Sequence, residues 1–296
     1  MMIHKWLFFT TLISSLNANA QNQMQLESGL TFSDNNLFNQ QNNTPLALPD
    51  QPRLGLQIAL AGHWQQFSNQ GGLSASAYAY QDSALQQQNA QIQQLNLQAQ
   101  KLLALSNNWL SRSQLTTRHY QNQQQPISSN LSFGLNHTFG YFANDNSGLD
   151  LTLGLQQRNY NHIPSGNYQG QQWESGAVYY FASPANHARW AAALTLQKFN
   201  ASETFYNSVS QQFDLSYGQW QWQQLQGTLA LQWQKNLYPN TARQLNETYT
   251  LLSVNSHYTL SNHWQLVSTL SSGQYQPNND TPRSLLNAYL GLKIQL

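Results

Sequence analysis

The chain has 296 residues, of which 8% are charged and 12% aromatic, and its formal net charge is +1. Soluble domains carry roughly 25% charged residues, so an ordinary charged surface is excluded, and near-neutrality leaves no electrostatic basis for binding nucleic acid or an anionic membrane surface. The lack of cysteine excludes disulfides and thiolate metal sites, while the mean hydropathy of -0.56 comes from Gln, about 15% of the chain, and Asn rather than from charge.

The first predicted element is a leader. Lys5, the apolar run WLFFTTLI and small polar residues ending in Ala18-Asn19-Ala20 follow the order of an n-region, an h-region and an A-x-A cleavage site. Residues 1–20 read as a signal peptide and 21–296 as the mature chain. The apolar run is too short to span a bilayer, and no cysteine follows it to carry a lipid anchor. Without Lys5, eleven basic residues face eleven acidic ones. No later segment approaches the 18 consecutive apolar residues of a membrane helix.

From residue 24 onward the apolar positions recur with period two, the mark of strands with one apolar face. Met24, Leu26, Leu30 and Phe32 begin the series, followed by Leu54, Leu56, Ile58 and Leu60. Less regular runs occupy 73–80, 95–105 and 110–120. Then come Leu131–Leu135, Leu149–Leu155, a weaker run over 173–181, Trp190–Leu196, Phe213–Tyr217, Leu229–Trp233, Leu252–Tyr258, Trp264–Leu270 and Leu290–Leu296. The pattern predicts about 14 strands, or 12 if 84–120 is not all strand. The Gln-rich stretch 84–100 admits two readings, a weak strand or a partly helical segment.

The connections alternate too. Short ones fall near 67–72, 105–109, 142–148, 182–188, 217–220 and 260–264, with longer polar ones between them. LSNNW (105–109) and LSNHW (260–264) repeat one hairpin: an apolar strand end, a polar turn suited to Asn and Ser, then an aromatic. Short turns at one end and long loops at the other describe an all-β, antiparallel, up-and-down transmembrane β-barrel. Closure is required because an unpaired strand edge cannot be satisfied in lipid. The apolar faces would contact outer-membrane lipid, and the uncharged polar faces would line a wet lumen. Trp64, Trp109, Tyr141, Trp190, Trp222, Trp264 and Tyr289 are expected in interfacial girdles.

The ending YLGLKIQL resembles the C-terminal assembly signal of Gram-negative outer-membrane β-barrel proteins. Tyr289, Gly291, Ile294 and Leu296 fill its pattern, with Leu296 in place of the usual terminal Phe or Trp. The resemblance implies location in the cell outer membrane and the barrel-assembly machinery as a partner. The last three strands are also similar to the 14-stranded barrels of surface-lipoprotein assembly modifiers and polysaccharide exporters, which implies an assembly or export role as the alternative function.

Parity assigns candidate lumen residues: Glu27, Asp150, Arg158, Glu174 and Asp214, with Arg112 and Arg118 on a strand where Leu110 shares their parity. Arg158 and Glu174 are expected to pair across neighbouring strands. Gln156, Gln212 and Tyr180 are candidates for sugar contacts. The histidines of the mature chain, His63, His119, His137, His162, His187, His257 and His263, lack metal-site spacing. His137 has lipid-facing parity, but parity places no serine beside it, and no GxSxG, phosphate-loop or paired-carboxylate motif occurs. The expectation is a non-enzymatic barrel that passes small neutral or sugar-like solutes and uses no cofactor or metal. The pattern sets no oligomeric state.

Overall fold

The computed structural model describes residues 21–33, 53–68, 71–85, 91–123, 129–144, 146–160, 168–182, 189–239, 246–277 and 281–296. The signal-peptide reading of 1–20 lies outside them, as do His162 and His187. Fourteen strands form: β1 (Gln21–Ser33), β2 (Arg53–Ser68), β3 (Gly71–Ala84), β4 (Gln91–Ala104), β5 (Trp109–Asn122), β6 (Asn130–Asn144), β7 (Ser147–Tyr160), β8 (Tyr168–Ala182), β9 (Arg189–Ala201), β10 (Ser208–Trp222), β11 (Leu225–Leu237), β12 (Asn246–Thr259), β13 (Trp264–Pro277) and β14 (Arg283–Gln295). Each pairs antiparallel with its neighbours in the chain, and β14 returns to β1, closing the barrel. Strands of 13 to 16 residues exceed the roughly 9–11 needed to cross a bilayer.

Closure runs into the last residue. The β1–β14 register pairs Leu26 with Ile294 and Gly29 with Gly291, and the Leu296 N–H donates to the Met24 carbonyl at 2.9 Å. Gly29 and Gly291 leave room at this seam. A Cβ on Gly291 would strike the Tyr289 ring, and one on Gly29 would strike both that ring and the β14 backbone. Tyr289 therefore lies along the inner wall, beside Glu27 and Tyr78, and the expected girdle position for it is incorrect. It shares parity with buried Leu285, opposite to exposed Leu290.

The described part of the Gln-rich stretch is strand β4, not helix. Leu95, Leu97 and Ala99 point out while Asn96 and Gln98 alternate inward. Pairing with β3 and β5 over most of the strand's length outweighs the modest helix preference of Gln and Leu. The count is accordingly 14. The two similar hairpins share one turn: Leu105 and Ser106 N–H donate to the Trp109 carbonyl, as Leu260 and Ser261 do to Trp264. The turn expected at 217–220 instead falls at Gln223–Gln224, where Gln223 takes a left-handed φ of 53°. A bulge between Gly218 and Trp220 lets β10 continue, and the Trp220 ring then covers Gly227 on the neighbouring strand.

The outer wall is apolar. Leu153 is 65% exposed and Leu115 59%, and comparable leucines recur around the barrel. Water-facing proteins rarely expose an apolar patch above a few hundred Å²; a continuous band of this kind has lipid as its solvent. At the short-turn end Trp109 packs on Tyr141 with ring centroids 5.0 Å apart, and Trp190 on Tyr217 at 4.7 Å. Trp222 and Trp264 are exposed at the same end, completing an interfacial belt.

Candidate functional site: a capped polar lumen

The inward parity of β5 to β12 builds a cavity of about 460 Å³. Its lining is mostly amide and hydroxyl: Thr116, Asn136, Gln156, Gln172, Gln212 and Gln234, with Arg118, Arg158 and Glu174 among them. Gly134 and Gly154 keep the wall thin, because a Cβ on either would meet Thr116 or Asn136. The inner Gln side chains are held in place. Gln156 Nε2 donates to Ser132 Oγ at 3.0 Å, and Gln234 Nε2 to Asn236 Oδ1 at 2.9 Å. Primary amides give one acceptor and two donors each, so such a wall can hydrogen-bond water or hydroxylated solutes without selecting by charge.

The charged candidates divide into separate groups. Arg118, Arg158 and Glu174 line the cavity. Arg158 Nε donates to Gln156 Oε1 at 2.8 Å, and Arg118 Nη2 to Gln94 Oε1 at 3.4 Å. The expected Arg158–Glu174 pair does not form. Arg158 sits opposite Gly170, Glu174 sits opposite Gly154, and the Glu174 carboxylate instead accepts from Gln197 Nε2 at 2.8 Å. The parity was sound, but the register offsets the two residues by four positions. Arg112 meets Asp150 at 3.7 Å toward the short-turn end, a partly exposed pair worth ~0–1 kcal/mol. Asp214 accepts from Gln212 at 2.8 Å. Glu27 is at the closing seam beside Tyr78 and Tyr289. Tyr180 carries Arg189 over its ring at 4.0 Å, which occupies that face against a sugar.

An aromatic layer absent from the sequence expectation caps the cavity at the end away from the short turns. Tyr120, Tyr160, Phe199, Tyr238, Tyr249 and Tyr275 are all buried there. Tyr160 meets Phe199 edge-on at 6.2 Å, and Tyr249 lies on Tyr275 at 4.9 Å. At its centre Glu247, 5% exposed, accepts hydrogen bonds from Tyr249 and Tyr275 at 3.0 Å and from Tyr238 at 3.4 Å. Three hydroxyls donating to one carboxyl tie the tyrosines together as a unit. Tyr160 of β7 is within electrostatic reach of Tyr238, which follows β11, and through Glu247 the layer continues to Tyr275 of β13. Sequence reading missed it because 235–247 reads as loop. The signal present was inward parity of Glu247 and Tyr249 against outward Leu252 and Val254.

On the outer wall, the expectation that no serine matches His137 is incorrect. Ser113 is its direct cross-strand partner. Ser113 Oγ lies 2.9 Å from His137 Nδ1, and Ser111 Oγ lies 3.4 Å from Nε2. The outer face of β5 carries Ser111, Ser113, Thr117 and His119, so apolar parity alone could not reveal it. Among the described residues no group of three or more His, Cys, Asp or Glu could hold a metal ion.

A closed antiparallel barrel with an apolar outer band, an aromatic belt and a polar interior is the architecture of outer-membrane porins and channels. Solved structures of that class are similar to this chain. The Salmonella typhi OmpF complex with daunomycin aligns with TM-score 0.52 and 12% identity, over 94% of this chain and 97% of that one. A deltaS2 mutant of the TodX monoaromatic hydrocarbon channel aligns with TM-score 0.50 and 7% identity, over 96% and 92%. At these identities the likeness is one of fold. No protein-family model matches the chain, and no curated protein sequence matches it.

Proposed function

We propose that this barrel is an outer-membrane channel for small hydrophilic solutes, narrowed at its far end by the tyrosine layer. The observation that supports it is the amide-lined cavity inside an apolar wall. A barrel acting only as a scaffold gains nothing from a hydrated interior, since buried amides cost free energy unless they are paired. Gln and Asn walls suit neutral, hydroxylated solutes such as sugars. Outer-membrane lipid is the surrounding partner in this reading, and YLGLKIQL is the segment offered to the assembly machinery.

Hydrolysis at Ser113 is not favoured. Both ring nitrogens of His137 face serines, and among the described residues no carboxylate joins their hydrogen bonds to orient the imidazole. The backbone N–H groups of β5 and β6 are engaged in ladders, so none stands free to stabilise an oxyanion. Mutual hydrogen bonding of polar groups that face lipid accounts for the cluster.

Liposome swelling tests the channel reading. Vesicles containing the purified protein are expected to swell in isotonic monosaccharide faster than protein-free vesicles, and progressively slower as solute size increases. Swelling rates equal to those of empty vesicles for every sugar would reject it.

A further inference from the structure

Two arginines of the cavity stand out energetically. Arg118 and Arg158 occupy one rung of the inner wall. Arg118 is opposite Ser132, and Ser132 is opposite Arg158. Their backbones are therefore two strands apart, ~10 Å, with Ser132, buried beneath the Gln156 amide, between them. The two charges are close enough to act on one another. Among the described residues no carboxylate lies at salt-bridge distance from either, and Glu174, which lines the same cavity, is engaged by Gln197.

Their donors are not all used. Arg158 is only 6% exposed, and its Nη1 is buried without a hydrogen-bond partner. Arg118 Nε is likewise buried and unpartnered. Gln172 Oε1, in the same cavity, also lacks a partner. Buried charges are costly unless paired, and two like charges on one rung compound that cost. Unsatisfied polar groups converging on a cavity call for a ligand that supplies what is missing, here a negative charge with acceptor oxygens.

We infer that Arg118 and Arg158 form an oxyanion subsite that binds the carboxylate of a small hydroxylated acid. The planar guanidinium matches a carboxylate fork. The amides of Gln172 and Gln234 line the same cavity and would meet hydroxyls. A volume of about 460 Å³ falls in the range of small-molecule sites, roughly 300–1,000 Å³. This inference rests on the channel reading and adds sugar acids to the hydroxylated solutes it admits.

Calorimetric titration of the detergent-solubilised barrel tests it without requiring flux, with glucuronate, glucose and glucose 6-phosphate as probes. Glucuronate is expected to bind at least about tenfold more tightly than glucose. Arg118→Gln and Arg158→Gln should each weaken glucuronate about tenfold, with glucose unchanged. Arg158→Lys, which keeps the charge but loses the fork, should fall between wild type and Arg158→Gln. Equal affinity for glucose and glucuronate would overturn the subsite, as would full glucuronate affinity in the folded double Gln variant. Tighter binding of glucose 6-phosphate than of glucuronate would overturn the carboxylate assignment. Glucuronate binding by a protein that gives no liposome swelling would retain the subsite and reject only the channel.

Discussion

Replacing Tyr160 and Tyr238 together with Ala is expected to raise single-channel conductance in planar bilayers severalfold. Tyr160 at the end of β7 and Tyr238 just beyond β11 stand four strands apart around the wall, within electrostatic reach of each other. Both are fully buried, so truncation opens a path where the wild-type protein has packed aromatic surface. Pore resistance is concentrated at the narrowest section, and widening that section dominates the total. Aromatic-to-Ala changes in sealed cores cost ~3–5 kcal/mol; here water can enter the space from the lumen, which reduces the penalty. Urea unfolding of the variant in lipid vesicles separates the two effects. A folded double variant whose conductance equals that of wild type would show that the tyrosine layer is not the constriction.

Gly291→Leu is expected to abolish membrane assembly, as is deletion of Ile294 to Leu296. A Cβ at position 291 meets the Tyr289 ring and the Ser28 carbonyl of the partner strand, so the substitution wedges the β1–β14 seam apart. Deletion removes the rungs Ile294 makes with Leu26 and with Trp264. Either change leaves backbone N–H and C=O groups facing hydrocarbon unpaired, at several kcal/mol each. Leu290→Ile, on the outer face one residue away, removes no backbone pairing and should assemble normally. Heat-modifiable gel mobility after refolding into vesicles reads the outcome. Normal assembly of Gly291→Leu would contradict the closure argument.

The motif YLGLKIQL shows what sequence can carry and where it stops. Its alternation and its position identified a closing strand, because period two and lipid exposure are both written in residue types. The role of Gly291 as clearance for the inward Tyr289 ring was not legible, since it depends on how a side chain lies along the wall. The same division holds for the site. Parity put Arg118, Arg158 and Glu174 on the polar face, and they line one cavity. It could not supply the register, which sets Arg158 opposite Gly170 and leaves Glu174 to Gln197. Ser113 beside His137 was hidden by a strand whose outer face is itself polar. The Glu247–tyrosine layer was hidden for another reason. Its residues are far apart in sequence at strand ends beside long connections, and only closure of the barrel brings them together.

The assignment of faces underlies every step from wall to cavity to solute, and spin-label accessibility measures it directly. The chain has no cysteine, so Leu153→Cys and Gln156→Cys each introduce a single labelling site on β7, one on each face. In vesicles, the label at 153 should collide mainly with oxygen dissolved in lipid, and the label at 156 mainly with a water-soluble nickel chelate entering the lumen. The reverse pattern, or a label at 156 reached by neither reagent, would contradict a water-filled polar lumen within a lipid-facing apolar wall.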